Sequence, residues 1–175
     1  MALDLAQLVR EHHAVVYRYA YRLSGSAADA EDLTQQVFLV VQQKLDQLRD
    51  EHKVRSWLFA ILRNCFLMTR RHRQPVLAGD LAIDLTSLPE LPDETDDEPI
   101  DLARLQMALD AVPDELKLVL MMFYFEQQSY RQIAEALAIP MGTVMSRLSR
   151  AKGYLRRQLL PVEIQGGRPT PLSGR

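Results

Sequence analysis

The chain has 175 residues, 47% hydrophobic and 25% charged, with a formal net charge of −2, a composition that fits one ordinary soluble domain or two small ones. A membrane span is excluded, because the longest apolar run, LKLVLMMFYF at 116–125, carries Lys117 and falls far short of the roughly 20 residues a bilayer demands; it reads as a buried core helix. The start, MALDLAQLVREHH, lacks the cationic and apolar segments of a secretory signal, and the single cysteine, Cys65, cannot form an internal disulfide, so a reducing, cytoplasmic setting is expected with no membrane insertion.

In chain order, residues 5–23 place Leu5, Leu8, Val9, His12, Val16, Tyr19 and Leu23 on one helical face, with Gly25 as a stop signal. Ser26 opens SAAD, a capping-box-like start with Asp29 at the third helical position. The helix it begins turns Leu33, Val37, Val40, Val41 and Leu45 inward. Its other side holds Asp32, Gln35, Gln36, Gln42 and Gln43. That side is polar yet nearly uncharged, which suits either an ordinary solvated face or a surface dried by a partner.

Residues 54–73 form the next helix, with Val54, Trp57, Leu58, Ile61, Cys65 and Met68 at core spacing. A second stripe alternates cations with rings: Arg55, Phe59, Arg63, Phe66, Arg70 and Arg73. Two readings stand side by side. Guanidinium groups and π-faces together serve single-stranded nucleic acid, with about 1 to 3 kcal/mol per stacked base. Alternatively, Phe59 and Phe66 pack on the first helix while the arginines are solvated.

Charge divides the chain into three blocks. Residues 1–74 hold 11 basic and 8 acidic side chains, and residues 102–175 hold 10 and 6. Between them no basic residue occurs, but Asp80, Asp84, Glu90, Asp93, Glu94, Asp96, Asp97, Glu98 and Asp101 do. With its prolines and no sustained helical period, 75–101 reads as a flexible acidic linker. Residues 161–175 read as a Gly/Pro-rich disordered tail. No strand pattern appears. The expected fold is all-α, two small helical domains at 1–74 and 102–160.

In the last block Ser129 and Gln132 make a capping box for YRQIAEAL, and Ile139-Pro140 break that helix before another starts near Met141. There Val144, Leu148, Ala151, Leu155 and Leu159 face inward. Ser146, Ser149, Arg150 and Arg157 face away, flanked by Met145, Arg147 and Arg156. Two short helices at a tight turn, the second with a cationic outer face, describe a helix-turn-helix that enters a major groove; a plain helical hairpin is the other reading. Gly142 permits close approach to a sugar-phosphate backbone. Against an enzyme, no Gly-rich phosphate loop is present, and His12, His13, His52 and His72 are scattered without metal spacing. No catalytic residue, metal or cofactor is expected.

AEDLTQQVF, SWLFAILRN and SYRQIAEALAIPMGTVMSRLSRAKGYLRRQL, in this order and separation, resemble the extracytoplasmic-function (group four) sigma factors of bacterial RNA polymerase over roughly 5–74 and 102–160. The resemblance implies that Asp32, Gln35 and Gln36 dock on the clamp helices of core polymerase. It implies that the loop at 44–53 and the following helix, through Arg55, Phe59, Arg63, Asn64, Arg70 and Arg71, open and capture the minus-ten promoter element. Thr143, Met145, Ser146, Ser149 and Arg150 would then read the minus-thirty-five duplex, with Arg147 toward phosphate. An anti-sigma factor is a further implied partner. Region three of larger sigma factors is missing, and the acidic strap would thread the polymerase channel in its place. Three positions depart from the family pattern: Gln36 stands for the usual Glu, Ala138 for a common Gly, and Met145 for a frequent Lys or Arg.

A strap of about 27 residues spans at most roughly 90 to 95 Å and averages only about 30 Å as a free coil. Promoter elements lie about 50 to 70 Å apart. Polymerase must therefore hold the strap open, and free in solution the two modules are expected to collapse together or sit in an inhibitory partner. The alternative function, a stand-alone helix-turn-helix transcriptional regulator, would not need the 26–73 unit; binding to core polymerase separates the two.

Overall fold

Asp4, extended in backbone, accepts a hydrogen bond from the Ala6 N–H at 3.2 Å and starts α1, Leu5–Ser24. The helix ends where Gly25 takes φ 72° and returns its N–H to the Tyr21 carbonyl at 2.8 Å, a left-handed cap that glycine adopts at little cost. Ser26 then caps α2, Ala27–Lys44, by accepting from the Asp29 N–H. Two short 3₁₀ turns, Leu45–Gln47 and Glu51–Lys53, lead into α3, Val54–His72. The second unit holds α4, Leu102–Asp110; α5, Asp114–Tyr124; α6, Tyr130–Leu137; and α7, Met141–Leu159. These elements come from a computed structural model that describes residues 4–48, 50–72 and 102–159, without the side chains of Arg71 and His72. The expected linker at 75–101, the expected tail and Arg73 lie outside the described residues, among which no strand occurs.

The first unit buries Leu8, Val16, Leu23, Leu33, Val37, Val40, Val41, Trp57, Leu58, Ile61 and Cys65, so the three faces read from periodicity meet in one core. Burial pushes the Cys65 thiol up to about 12, which keeps it protonated and inert. In the second unit α5 is buried at every position from Leu116 to Met122. A helix apolar all round needs neighbours all round, and α5 has them: α6 and α7 on its own side and α1 from the first unit. The two units thus share a core, with Tyr19 of α1 stacked toward Phe125 and edge-on to Phe59.

Ser129 and Gln132 exchange both bonds of the capping box at the start of α6. Its far end is less comfortable, since Ala138 sits at φ 52°, ψ 45°, a left-handed conformation in which the β-carbon crowds the backbone. Ala138→Gly is expected to raise stability by about 1 kcal/mol, read as an increased urea midpoint at unchanged slope; an unchanged or lowered midpoint would contradict the strain.

Candidate nucleic-acid and partner interfaces

The helix-turn-helix owes its geometry to one apolar seam. Val144, Leu148 and Ala151 of α7 are buried, as is Ile133 of α6, while Pro140 supplies the carbonyl that starts α7 through Thr143 and Val144. The seam turns the opposite side of α7 outward. Met145, Ser146, Ser149, Arg150, Arg156 and Arg157 are exposed, and Thr143 is half-buried. Arg147 reaches sideways to Glu115 at 3.0 Å and is held near the rim. Ser146 donates to the Thr143 carbonyl at 3.3 Å. A β-carbon at Gly142 would meet nothing within 4 Å, so the chain itself leaves that approach clear. Small polar groups around one arginine at the N-terminal half of an outward helix can donate to guanine edges and phosphates.

On α2, Asp32, Gln35, Gln42 and Gln43 are exposed, whereas Gln36 is half-buried and its Oε1 lacks a hydrogen-bond partner. Gln36 lines a cleft with Asp29, Asp32, Phe66, Thr69 and Arg70, and Gln35 lines a separate groove. The three expected contact residues are therefore split between two depressions. Sequence reasoning missed Leu39, which is 57% exposed among the glutamines. It borders a groove of about 340 Å³ between α1 and α2 with Leu5, Val9, His13, Thr34, Gln35, Phe38 and Gln42. Its signal was an apolar residue at helical spacing from Gln35 and Gln42 on the polar side.

The stripe on α3 requires a correction. Phe59, Arg63 and Phe66 are buried, at 2%, 5% and 3% exposure, so they form no open face. Arg55 is half-buried with its guanidinium 5.6 Å from the Phe59 ring, Asn64 is half-buried, and Arg70 is exposed over Phe66. Arg71's side chain lies outside the described residues. The physical reason is twofold: Tyr19 of α1 packs edge-on against Phe59 and Phe66 lies beside residues of α2, while the second unit covers Arg63 in the middle of the stripe. Arg63 pairs with the buried Glu126, and that carboxylate also accepts from the Tyr19 hydroxyl and from Gln128 Nε2 at 2.9 Å. Burial first, then the Glu126 charge, raises the Tyr19 phenol well above its ordinary value. The Arg63 guanidinium is also raised: desolvation alone would lower it, and Glu126 outweighs that. Lys117, likewise buried, donates to the Leu23 carbonyl at 3.3 Å, and desolvation lowers its ammonium against the pull of Asp114 and Asp110. Among the described residues no acidic, His or Cys cluster could hold a metal, and no helix is long and apolar enough to cross a membrane.

Comparison with known proteins places two matches on these units. Residues 8–76 match the family Sigma-70 region 2, and residues 102–155 match Sigma-70, region 4. The ECF RNA polymerase sigma factor SigL of Mycobacterium tuberculosis is 37% identical over 156 residues, covering 87% of this chain and 86% of SigL. SigE of Mycolicibacterium smegmatis is 36% identical over 160 residues, covering 87% of this chain; the chain spans 60% of SigE's length. The fold is similar to the sigma factor RpoE solved with the anti-sigma factor NepR from Bartonella quintana (TM-score 0.63, 24% identity, 94% of this chain and 99% of that one). CnrH, solved with the cytosolic domain of CnrY, is also similar in fold (TM-score 0.55, 22% identity, 89% and 86%).

Proposed function

The chain belongs to the extracytoplasmic-function sigma factors of RNA polymerase, and we propose that its two helical units divide promoter recognition between them. The observation that carries this reading is α7, whose buried seam fixes Met145, Ser146, Ser149 and Arg150 outward on a helix-turn-helix. In the proposed division, 102–160 reads the minus-thirty-five duplex with those residues, Thr143 and Arg147. The 1–74 unit binds core polymerase and engages the minus-ten element, with 75–101 as the linker between them and 161–175 as a disordered tail. Arg55, Asn64, Arg70 and Arg71 are its candidate minus-ten contacts. Phe59 supports them from beneath, and Arg63 joins them only if the units part. The protein works in the cytoplasm and supplies specificity rather than chemistry; polymerase performs the reaction.

The core-facing surface is α2, through Asp32, Gln35 and Gln36 with Leu39 at its centre. An exposed leucine ringed by amides offers an apolar anchor inside a polar rim. An anti-sigma factor competing for the same face would account for how such a protein is kept silent, as NepR and CnrY accompany the solved relatives.

Run-off transcription with purified core polymerase on genomic fragments tests the whole reading; no promoter-specific product at any concentration would return the chain to a stand-alone DNA-binding regulator. For the core-facing surface, Asp32→Ala with Leu39→Ala is expected to weaken core binding about tenfold or more. The melting temperature should barely move, since exposed positions shift stability by about 0.5 kcal/mol at most. Undiminished capture of core enzyme in a pull-down would mark α2 as an ordinary solvated face.

A further inference from the structure

We propose that Glu126 is an ionic latch: it holds Arg63 back from single-stranded promoter DNA until the two helical units separate. The inference rests on the sigma-factor reading above and adds to it a state in which the chain is closed. Glu126 lies in the segment between α5 and α6, just ahead of the helix-turn-helix, and is 0% exposed. Every partner it has across the boundary comes from the first unit: the Arg63 guanidinium from α3 and the Tyr19 hydroxyl from α1. Gln128 closes the remaining side from its own segment.

Around this centre the boundary is stitched by polar contacts. Lys117 donates to the Leu23 carbonyl, Gln106 Nε2 lies 3.4 Å from the Tyr21 carbonyl, and Arg70 meets Asp114 at 3.1 Å. Asp110 approaches Gly25 so closely that a β-carbon there would lie 2.5 Å from its Oδ1. Permanent interfaces tend to be apolar, resembling a domain core cut in half. Here a carboxylate, a guanidinium, a phenol and an amide are set into the shared apolar core; on separation water can solvate all four, and another anion can take the place of Glu126 at Arg63. A phosphate is the natural replacement partner for a guanidinium, because two of its oxygens can accept the same bidentate, charge-assisted bonds. Opening therefore exchanges Glu126 for a DNA phosphate at Arg63.

The closed arrangement is selective in what it hides. Phe59 and Arg63 are covered, whereas Met145, Ser146, Ser149 and Arg150 on α7 remain exposed. A latched chain can still touch duplex through α7 but presents only the rim of α3 to an unpaired strand.

The full-length chain tests this with a promoter fragment recovered by the run-off experiment, split into its upstream duplex and a labelled oligonucleotide of its minus-ten non-template strand. Glu126→Gln removes the charge at similar size and is expected to bind the single strand about tenfold tighter, with duplex binding unchanged. Arg63→Met also unlatches the units but lacks the cation, so it should not gain single-strand affinity. Unchanged single-strand binding in a folded Glu126→Gln chain, or equal gains in both variants, overturns the latch. Should Glu126→Gln lose its cooperative melt, a second design replaces it. Ser24→Cys with Asp110→Cys, joined by a cleavable bis-maleimide, ties the units shut at a half-buried and an exposed position while the buried Cys65 stays unreactive. Linked protein should bind upstream duplex yet fail to make minus-ten thymines permanganate-reactive with core polymerase, and cleavage should restore opening. Equal opening before and after cleavage overturns the proposal. Failure of run-off itself would instead count against the sigma-factor reading.

Discussion

Phe59→Ala is expected to destabilise the chain by about 3–5 kcal/mol, the scale for emptying a buried phenylalanine site. The ring is 2% exposed and meets Tyr19 edge-on at 4.7 Å, so truncation removes both a large apolar volume and a favourable ring pair. Neighbours cannot easily collapse into the gap, because Tyr19 is itself fixed by its hydroxyl on Glu126. Phe59→Leu, which keeps most of the volume, should cost less than about 1.5 kcal/mol. Urea unfolding of the two variants measures both. A stable Phe59→Ala chain that has lost promoter opening would mean that the ring serves bases directly and that the closed packing is not the resting state.

Arg150→Ala is expected to weaken minus-thirty-five recognition by about 1–3 kcal/mol and to relax preference at one base pair. Arg150 stands exposed in the middle of the outward face of α7, between Ser146 and Ser149 on one side and Arg157 further along. Arg147, by contrast, is turned aside to Glu115 at 3.0 Å. Arg147→Ala should therefore reduce affinity for all sequences alike, as a phosphate contact does. Binding of both variants to a panel of single-base substitutions separates the roles. Uniform losses with Arg150→Ala would demote it to a backbone contact and leave base readout to the serines and Met145.

Much of this arrangement is legible in the sequence. The turn at Gly25, the Ser26 cap, the Ser129 capping box and the break at Pro140 are local devices, each written in residues within a few positions of the element it starts or stops. The left-handed Ala138 was likewise foreseeable, because it stands where the family pattern that the motifs resemble has a common glycine. What periodicity supplies is an angle around one helix; it says nothing about which neighbour fills that angle. Phe59, Arg63 and Phe66 fall on a coherent second stripe, and only the packing of α1 on Phe59, of α2 beside Phe66 and of the 125–128 segment on Arg63 decides that the stripe is covered. Glu126 shows the same limit more sharply. A carboxylate after an apolar run carries no signal of burial, since its burial depends on an arginine 63 residues earlier in the chain.

The amide-rich face of α2 has a consequence for how the protein responds to salt. Gln35, Leu39, Gln42 and Gln43 carry no charge, with only the exposed carboxylates Glu31 and Asp32 nearby, so a partner docking there would feel ionic strength through those two groups alone. On the proposed reading the α7 face would work through its exposed arginines, where counterion release makes affinity fall steeply as salt rises. If α2 docks on polymerase and α7 on DNA as proposed, a rise in ionic strength would weaken the DNA contact more than the polymerase contact. Return to ordinary ionic conditions would then find the holoenzyme already assembled and able to rebind promoters without a fresh round of subunit exchange.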